Sequence, residues 1–234
     1  MNKRTILELT PLLSIVVIFS GFAFFSPSCA QRENPNRMAF TNSFTSNSAS
    51  EKNIPSAGLD TATFGTGGFW CTEAIFQQLK GVKKVTSGYT GGHVPNPTYK
   101  EVCEGTTGHA EVIQLLYDPK EITFDELLEV FWQTHDPTTL NRQGNDVGTQ
   151  YRSAIFYHTP EQKKISEHYK KELNEKKVYD APIVTEITEF DKFYPAEDYH
   201  QNYFNDNGDQ PYCNFVIRPK VEKFQKVFKD KLKK

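Results

Sequence analysis

The sequence lacks any large excess of charge of one sign. Its 234 residues carry 27 Lys and Arg against 29 Asp and Glu, and beyond Ala57 the counts are 22 and 26. This balance excludes a broad basic surface for nucleic acid, so we expect a peptide or a small molecule as the partner. The composition also excludes collagen, a coiled coil and a multi-pass membrane protein, and no internal repeat is present.

Tyr and Trp are absent from the first 57 residues, whereas the remaining 177 residues hold 25 of the 31 aromatic side chains. That number of aromatic residues is enough to fill one well-packed core. We therefore expect one globular domain over residues 58–234, preceded by an N-terminal extension.

The start of the extension is typical of an export signal. Two basic residues precede the apolar run Leu12–Phe25, which has the length of a signal peptide and is short for a membrane-spanning helix of roughly 20 residues. Small residues before Cys29 resemble a relaxed bacterial lipobox. Removal of residues 1–28 would then leave Cys29 as a lipidated N-terminus, and an unmodified Cys29 beside an ordinary cleavage site is the alternative.

Residues 29–57 are rich in Ser, Thr and Asn and poor in large apolar side chains. Such a segment buries too little surface to repay the entropy of ordering, so we expect a flexible tether. The domain would be an exported lipoprotein of the bacterial cell envelope, on the periplasmic side or the cell surface. Only the lipid anchor would contact the membrane, and we expect a monomer.

Three cysteines remain for the domain if Cys29 is lipidated: Cys71, Cys103 and Cys213. An odd number in an oxidising compartment suggests redox chemistry rather than structural disulfides alone. No two of them have C-x2-C spacing and the six His are scattered, so we expect no metal site.

Strands and helices alternate irregularly in the domain, which favours an α+β fold. Predicted strands begin at Thr61 and cover Val82–Gly88, Ala110–Tyr117, Ser153–Tyr157 and Ile183–Glu189. Predicted helices cover Phe69–Leu79, Phe124–Thr134, Gln162–Glu175 and Ala196–Phe204, and a C-terminal helix carries the apolar stripe Val221, Phe224, Phe228 and Leu232. Two long polar loops, Tyr89–Gly108 and Thr139–Gln150, are typical of functional loops.

Two side chains of the domain are candidates for chemistry on their local pattern alone. Glu111 shares a strand face with apolar residues, where desolvation would keep the acid protonated and able to donate a proton; a register that points it at solvent is the alternative. Cys71 lies in the first turn of a helix, which favours a thiolate. The alternative for Cys71 is a small buried apolar side chain.

Five motifs in order resemble peptide-methionine (S)-S-oxide reductase of type A. They are Gly67–Glu73 (GGFWCTE), Gly88–Gly92 (GYTGG), Pro95–Tyr99 (PNPTY), Thr107–Glu111 (TGHAE) and Gln143–Arg152 (QGNDVGTQYR). The resemblance covers about residues 61–219. It implies a ferredoxin-like α/β sandwich with long active-site loops and an extended C-terminal segment, and the repair of oxidised proteins by reduction of methionine-(S)-sulfoxide.

The resemblance implies roles for matching residues around the sulfoxide. Phe69 and Trp70 would form the pocket for its methyl group. Glu111 would protonate the sulfoxide oxygen, and Tyr99 and Tyr151 would hydrogen-bond to that oxygen. Oxidised proteins or peptides would be the substrates.

The redox part of the family's mechanism uses two cysteines and no metal or organic cofactor. The first attacks the sulfoxide sulfur and becomes a sulfenic acid. Cys213 matches the resolving cysteine, whose disulfide an external thioredoxin-like protein or dithiol reduces. Asp146 matches a residue that organises the site around water and substrate.

The sequence departs from the family pattern at the attacking cysteine, because Gly68 occupies that position. Three explanations remain open: a recent or introduced loss, a sulfoxide-binding domain without turnover, and replacement of the nucleophile by Cys71. A reductase, a sulfoxide-binding module and a Cys71/Cys213 thiol-disulfide element are accordingly the three functional hypotheses.

Overall fold

The computed structural model describes residues 58–234, so the predicted signal peptide, the tether and Cys29 lie outside the described residues. The described strands are β1 (Asp60–Thr66), β2 (Val82–Thr90), β3 (Ala110–Tyr117), β4 (Arg142–Gln143), β5 (Asp146–Val147), β6 (Ser153–Tyr157), β7 (Glu186–Glu189) and β8 (Tyr194–Pro195). The helices are α1 (Phe69–Phe76), α2 (Tyr99–Cys103), α3 (Phe124–Thr134), α4 (Pro160–Glu175), α5 (Tyr203–Asp206) and α6 (Arg218–Val227), with a π-helical stretch over Cys213–Ile217 directly before α6.

Six strands form one sheet in the order β7-β6-β1-β3-β2-β8. The middle four are antiparallel neighbours, and β7 adds to β6 in parallel. Their chain order β1-α1-β2-β3-α3-β6, with the sheet order β6-β1-β3-β2, is the ferredoxin-like arrangement of an α+β sandwich. The predicted fold class is thereby confirmed. Strands β4 and β5 form a separate hairpin.

The core lies between the sheet and the helices α1 and α3. The ring of Phe64 on β1 is 5.6 Å from that of Phe76 on α1 and 5.2 Å from that of Phe131 on α3. Helix α3 begins with a capping box, in which the Thr123 hydroxyl accepts from the Glu126 amide and the Glu126 carboxylate accepts from the Thr123 amide. This cap fixes the start of α3, and burial of its apolar face holds it on the sheet.

The loop predicted for Tyr89–Gly108 is wrong in two places. Strand β2 continues to Thr90, and the helix α2 occupies Tyr99–Cys103. The sequence carried a signal for α2, because Thr98 and Glu101 form a second capping box.

The helix predicted for Ala196–Phe204 is also wrong. A single 3-10 turn covers Asp198–His200, and Asn202 then adopts a left-handed conformation with φ of 53°, which interrupts any helix before α5. Smaller differences concern element ends: α1 stops at Phe76, and β7 begins only at Glu186.

At the C-terminus, Val221, Phe224 and Phe228 are buried as the stripe predicted, whereas Leu232 lies beyond α6 and pairs with Leu79 in an isolated bridge. None of the helices in residues 58–234 has the length and apolar character needed to span a membrane.

Candidate active site

Glu111 lies on β3 with its side chain in the interior, 3% exposed. Its Oε2 accepts a hydrogen bond of 3.1 Å from the backbone N–H of Phe69 at the start of α1. Burial raises the pKa of Glu111 from 4.5 to about 8, against the lowering effect of the Phe69 N–H and with a further rise from Asp146. The inward register predicted for Glu111 is confirmed, and the group is mainly a neutral acid at pH 7.

The two glycines before α1 differ in whether their positions require glycine. Gly67 has φ of +102°, and a Cβ there would lie 2.6 Å from Cβ of Gln143, so only glycine fits. Gly68 is the N-cap residue with φ of −67°, a conformation open to any residue. A Cβ on Gly68 would lie 3.7 Å from Tyr212 Oη and 3.9 Å from Glu111 Oε2, which are ordinary van der Waals distances. The backbone and the space at Gly68 would therefore accept a side chain.

Phe69 and Trp70 form one aromatic wall of the site. Phe69 is 1% exposed, and its ring lies 6.2 Å from that of Trp70. Trp70 stacks on Tyr203 at 3.7 Å with an interplanar angle of 7°, and meets the edge of Tyr212 at 5.8 Å. Its indole N–H donates to Nδ1 of His200 at 3.1 Å. The indole is thus fixed on three sides, and the wall is rigid.

Glu197 and His200 hold the start of α2, where Tyr99 lies. Glu197 accepts from the backbone N–H of Tyr99 at 2.9 Å and from the hydroxyl of Tyr89 at 3.0 Å. The His200 ring lies 4.3 Å from the Tyr99 ring and 5.0 Å from the Phe69 ring. Burial lowers the pKa of His200 to about 4, so its imidazole is neutral and serves as an acceptor for Trp70.

Asp146 and Tyr212 close the site on the side of the β4–β5 hairpin. Asp146 Oδ2 accepts from the Tyr212 hydroxyl at 2.9 Å. Burial raises the pKa of Asp146, and this hydrogen bond and Lys220 act in the opposite direction. Tyr151 is 5% exposed at the end of a 3-10 turn. Burial, and after it the charge of Glu111, raises the pKa of Tyr99, so its hydroxyl stays a proton donor in hydrogen bonds.

The two free thiols of the described domain, Cys71 and Cys213, are both buried. Burial raises the pKa of Cys71 to about 11, which outweighs the positive charge of Lys220, whose Nζ lies 4.0 Å from the sulfur. Burial likewise raises the pKa of Cys213. Of the two readings that the sequence left open for Cys71, the structure therefore favours a small buried side chain over a thiolate.

The structure brings the predicted residues Gly68, Phe69, Trp70, Tyr99 and Glu111 together, linked by the contacts above. Asp146 joins them through Tyr212, which lies beside Gly68. Four members of the site were not predicted from the sequence: Glu197, His200, Tyr203 and Tyr212. The sequence predicts an ordinary helix for the segment that holds the first three. No local pattern in that segment indicates its contacts with Trp70 and Tyr99. In the described residues, no group of three or more His, Cys, Asp or Glu side chains could hold a metal ion.

The fold and the site define a domain of enzyme type, in which a buried acid can donate a proton beside an aromatic pocket. The family model for peptide methionine sulfoxide reductase matches residues 60–232. The peptide methionine sulfoxide reductase MsrA of Saccharolobus solfataricus is 55% identical over 175 residues, which are 75% of this chain and 98% of the relative. The corresponding MsrA of Haloquadratum walsbyi is 57% identical over 173 residues, 74% of this chain and 98% of the relative.

Solved structures give the same result. Methionine sulfoxide reductase A of Corynebacterium diphtheriae is 41% identical with a TM-score of 0.59, over 64% of this chain and 76% of that one. Mxr1 of Saccharomyces cerevisiae in its reduced form is 37% identical with a TM-score of 0.62, over 68% of this chain and 91% of that one. The chain belongs to the peptide methionine sulfoxide reductase family.

Proposed function

We propose that the domain recognises methionine-(S)-sulfoxide in peptides and proteins and promotes its reduction to methionine, a repair of oxidised proteins. The observation that carries this proposal is Glu111, a buried acid with a pKa of about 8 beside the start of α1. At pH 7 such a group is roughly nine-tenths protonated, so it can deliver a proton to a bound oxygen. An acid of this kind is what a sulfoxide oxygen needs to leave as water.

The neighbours of Glu111 suit the other parts of a methionine sulfoxide. Phe69 and Trp70 offer an apolar pocket for the methyl group, and Tyr99 and Tyr151 offer hydroxyl donors for the oxygen. Protonation of that oxygen draws electron density from sulfur and makes it a better target for a thiol. Asp146, held by Tyr212, would order water and substrate at the side of the pocket.

The reduction also needs a thiol, and Gly68 cannot supply one. With a pKa of about 11, only about one Cys71 in 10⁴ is a thiolate at pH 7. Cys71 also lies about 4.5 Å further along the helix axis than residue 68. We therefore infer that the attacking thiol comes from outside the chain, from a dithiol or a thioredoxin-like protein. Cys213 would resolve a sulfenic acid only where residue 68 carries a sulfur.

A second candidate is a module that binds oxidised methionine without repairing it. The observation in its favour is Gly68, which removes the attacking thiol while Phe69 keeps its contacts with Trp70, Tyr99 and Glu111. The third hypothesis, a Cys71/Cys213 thiol-disulfide element, is disfavoured by the raised pKa of both thiols.

The test combines binding and turnover on the purified domain. Titration calorimetry measures binding of peptides that contain the (S) or the (R) sulfoxide, and chromatography measures methionine formed with dithiothreitol or thioredoxin. We expect selective binding of the (S) epimer and thiol-dependent turnover that Glu111→Gln reduces by about 10² to 10⁴-fold while binding changes by only a few-fold. Selective binding without turnover would favour the second candidate, and equal or absent binding of both epimers would contradict the proposal.

We further propose that the protein is an exported monomer anchored to the cell envelope through a lipid on Cys29. Support comes from the basic start, the apolar run and the small residues before this cysteine. Several acyl chains on one N-terminus hold a protein at a membrane, whereas one chain gives only marginal binding. Mass spectrometry of the mature N-terminus would show a lipidated Cys29, and an unmodified Cys29 or cleavage elsewhere would contradict the proposal.

A further inference from the structure

We propose that the space beside Gly68 is a binding site for a small, soluble thiol, which takes the place of the absent side-chain sulfur and reduces the bound sulfoxide. This inference rests on the proposed function and names its second substrate by chemical class. It states that the second substrate is a small thiol and not a protein thiol, whereas the proposed function allows both.

The first observation is that Gly68 has room for a side chain, unlike Gly65 and Gly67. Apart from the adjacent residues, the described atoms within 4 Å of a Cβ at Gly68 are Tyr212 Oη at 3.7 Å and Glu111 Oε2 at 3.9 Å, both at ordinary van der Waals distance. At Gly65 the nearest atoms are backbone oxygens at 3.2 Å, and at Gly67 a Cβ would overlap Gln143. A side chain can therefore be accommodated at Gly68, next to the acid that would protonate the sulfoxide, and we take this volume as the place of the external sulfur.

The second observation is a cavity that shares Tyr212 with the surroundings of Gly68. Its volume is about 230 Å³, and its lining includes Asp146, Tyr212, Phe215 and Lys220. Tyr212 lines the cavity, and its hydroxyl is also the atom nearest to a Cβ at Gly68, at 3.7 Å. At about 30 Å³ per water molecule, the cavity holds about eight waters, which suits a compact thiol and is far too small for a folded protein.

The charge of the cavity bears on the kind of thiol. The ammonium group of Lys220 lies 4.0 Å from the sulfur of Cys71 and lines the cavity. A positive charge here favours the thiolate form of a bound thiol and attracts a carboxylate carried on the same molecule. We therefore expect small anionic thiols to bind more tightly than neutral ones of similar size.

The reaction balances without any group on the chain being oxidised. The external thiolate forms an S–S bond to the sulfoxide sulfur while Glu111 protonates the oxygen. The hydroxyl then passes to the thiol sulfur as the S–O and S–S bonds of the methionine sulfur break, so that methionine is released and the thiol becomes a sulfenic acid. A second thiol then displaces water from this sulfenic acid and forms a disulfide. The sulfoxide gains two electrons, two thiols lose one each, and Glu111 recovers its proton from the solvent. A dithiol performs both steps in one molecule.

Gly68→Ala is the matched variant for this site. The methyl group fits at the observed distances, but an external sulfur must stay at least about 3.5 Å from it. That contact keeps the thiol out of the position that it takes beside glycine. Because a misplacement of about 1 Å can cost roughly a hundredfold, we expect the thiol-dependent rate to fall by about 10 to 100-fold. Binding of the (S)-sulfoxide peptide should change by only a few-fold.

The experiment measures consumption of both sulfoxide epimers against the concentration of 2-mercaptoethanol and of mercaptosuccinate. For the native domain we expect a rate that saturates with thiol, consumption of the (S) epimer alone, and a lower half-saturating concentration for mercaptosuccinate. Lys220→Gln should remove that preference for the anionic thiol. The bulky 2-methylpropane-2-thiol should be a poor substrate.

A rate that rises linearly with thiol and consumes both epimers equally would overturn the inference, because it would describe reaction in solution. The same conclusion would follow if Gly68→Ala matched the native rate while still binding the (S) peptide. Failure of the native domain to bind that peptide would instead overturn the proposed function. The two failures are therefore distinguishable.

Discussion

Glu111 should make the stability of the domain fall as the pH rises from about 4.5 to about 8. Its carboxyl group has a pKa of about 8 in the folded chain, against the ordinary 4.5. Below the lower value both the folded and unfolded states are protonated, and Glu111 imposes no penalty. Between the two values the unfolded state loses the proton while the folded state keeps it, so that folding becomes less favourable. At about 1.4 kcal/mol per pH unit, the accumulated loss is roughly 5 kcal/mol.

Glu111→Gln isolates this effect, because the amide keeps the shape of the side chain and can accept from the Phe69 N–H, but does not titrate. Urea denaturation of both proteins from pH 4 to pH 9 gives the two free energies of unfolding at each pH. We expect the difference in favour of the variant to grow by several kcal/mol and to level off above pH 8. Parallel pH profiles for the two proteins would refute the reasoning that Glu111 is a buried neutral acid.

Three further predictions concern the residues around Gly68. Gly67→Ala should destabilise the fold by about 1 to 3 kcal/mol in urea denaturation, since its φ of +102° and the contact with Gln143 exclude a side chain. Gly68→Ala is the matched control and should change stability by less than about 1 kcal/mol. Equal effects of the two variants would contradict the conclusion that only Gly67 requires glycine. Tyr212→Phe should cost about 1 kcal/mol and raise the pKa of Asp146, measured by carbon NMR titration, and an unchanged pKa would argue against their hydrogen bond. Cys71→Ser should leave thiol-dependent turnover within about twofold, whereas loss of most turnover would identify Cys71 as the nucleophile.

The sequence predicted those features that depend on local pattern. The alternation on β3 indicated the inward direction of Glu111, and the helix predicted for Gln162–Glu175 is α4, which begins two residues earlier at Pro160. The motif resemblance identified the residues that meet at the start of α1. Each of these depends on residues a few positions apart, for which periodicity and capping chemistry are direct signals.

The features that sequence reasoning missed depend on distant parts of the chain. Strand β8 has two residues and exists through its pairing with β2, more than a hundred residues earlier. His200 and Tyr203 fix Trp70 from a segment 130 residues away, and nothing in their neighbourhood indicates that contact. For Cys71 the sequence leaves a thiolate and a small buried side chain both open, because one position does not reveal that desolvation outweighs the field of the helix.

The central claim is that the site is complete except for a sulfur at residue 68. A single-turnover measurement on Gly68→Cys tests it most directly: the variant is mixed with a methionine-(S)-sulfoxide peptide without any added reductant, and methionine is quantified by chromatography. We predict about one methionine per protein molecule from the variant and none from the native chain, because Phe69, Trp70, Tyr99, Glu111 and Tyr151 would act on the new thiol, and Cys213 would resolve its sulfenic acid. A folded variant that binds the peptide and yields no methionine would contradict the claim.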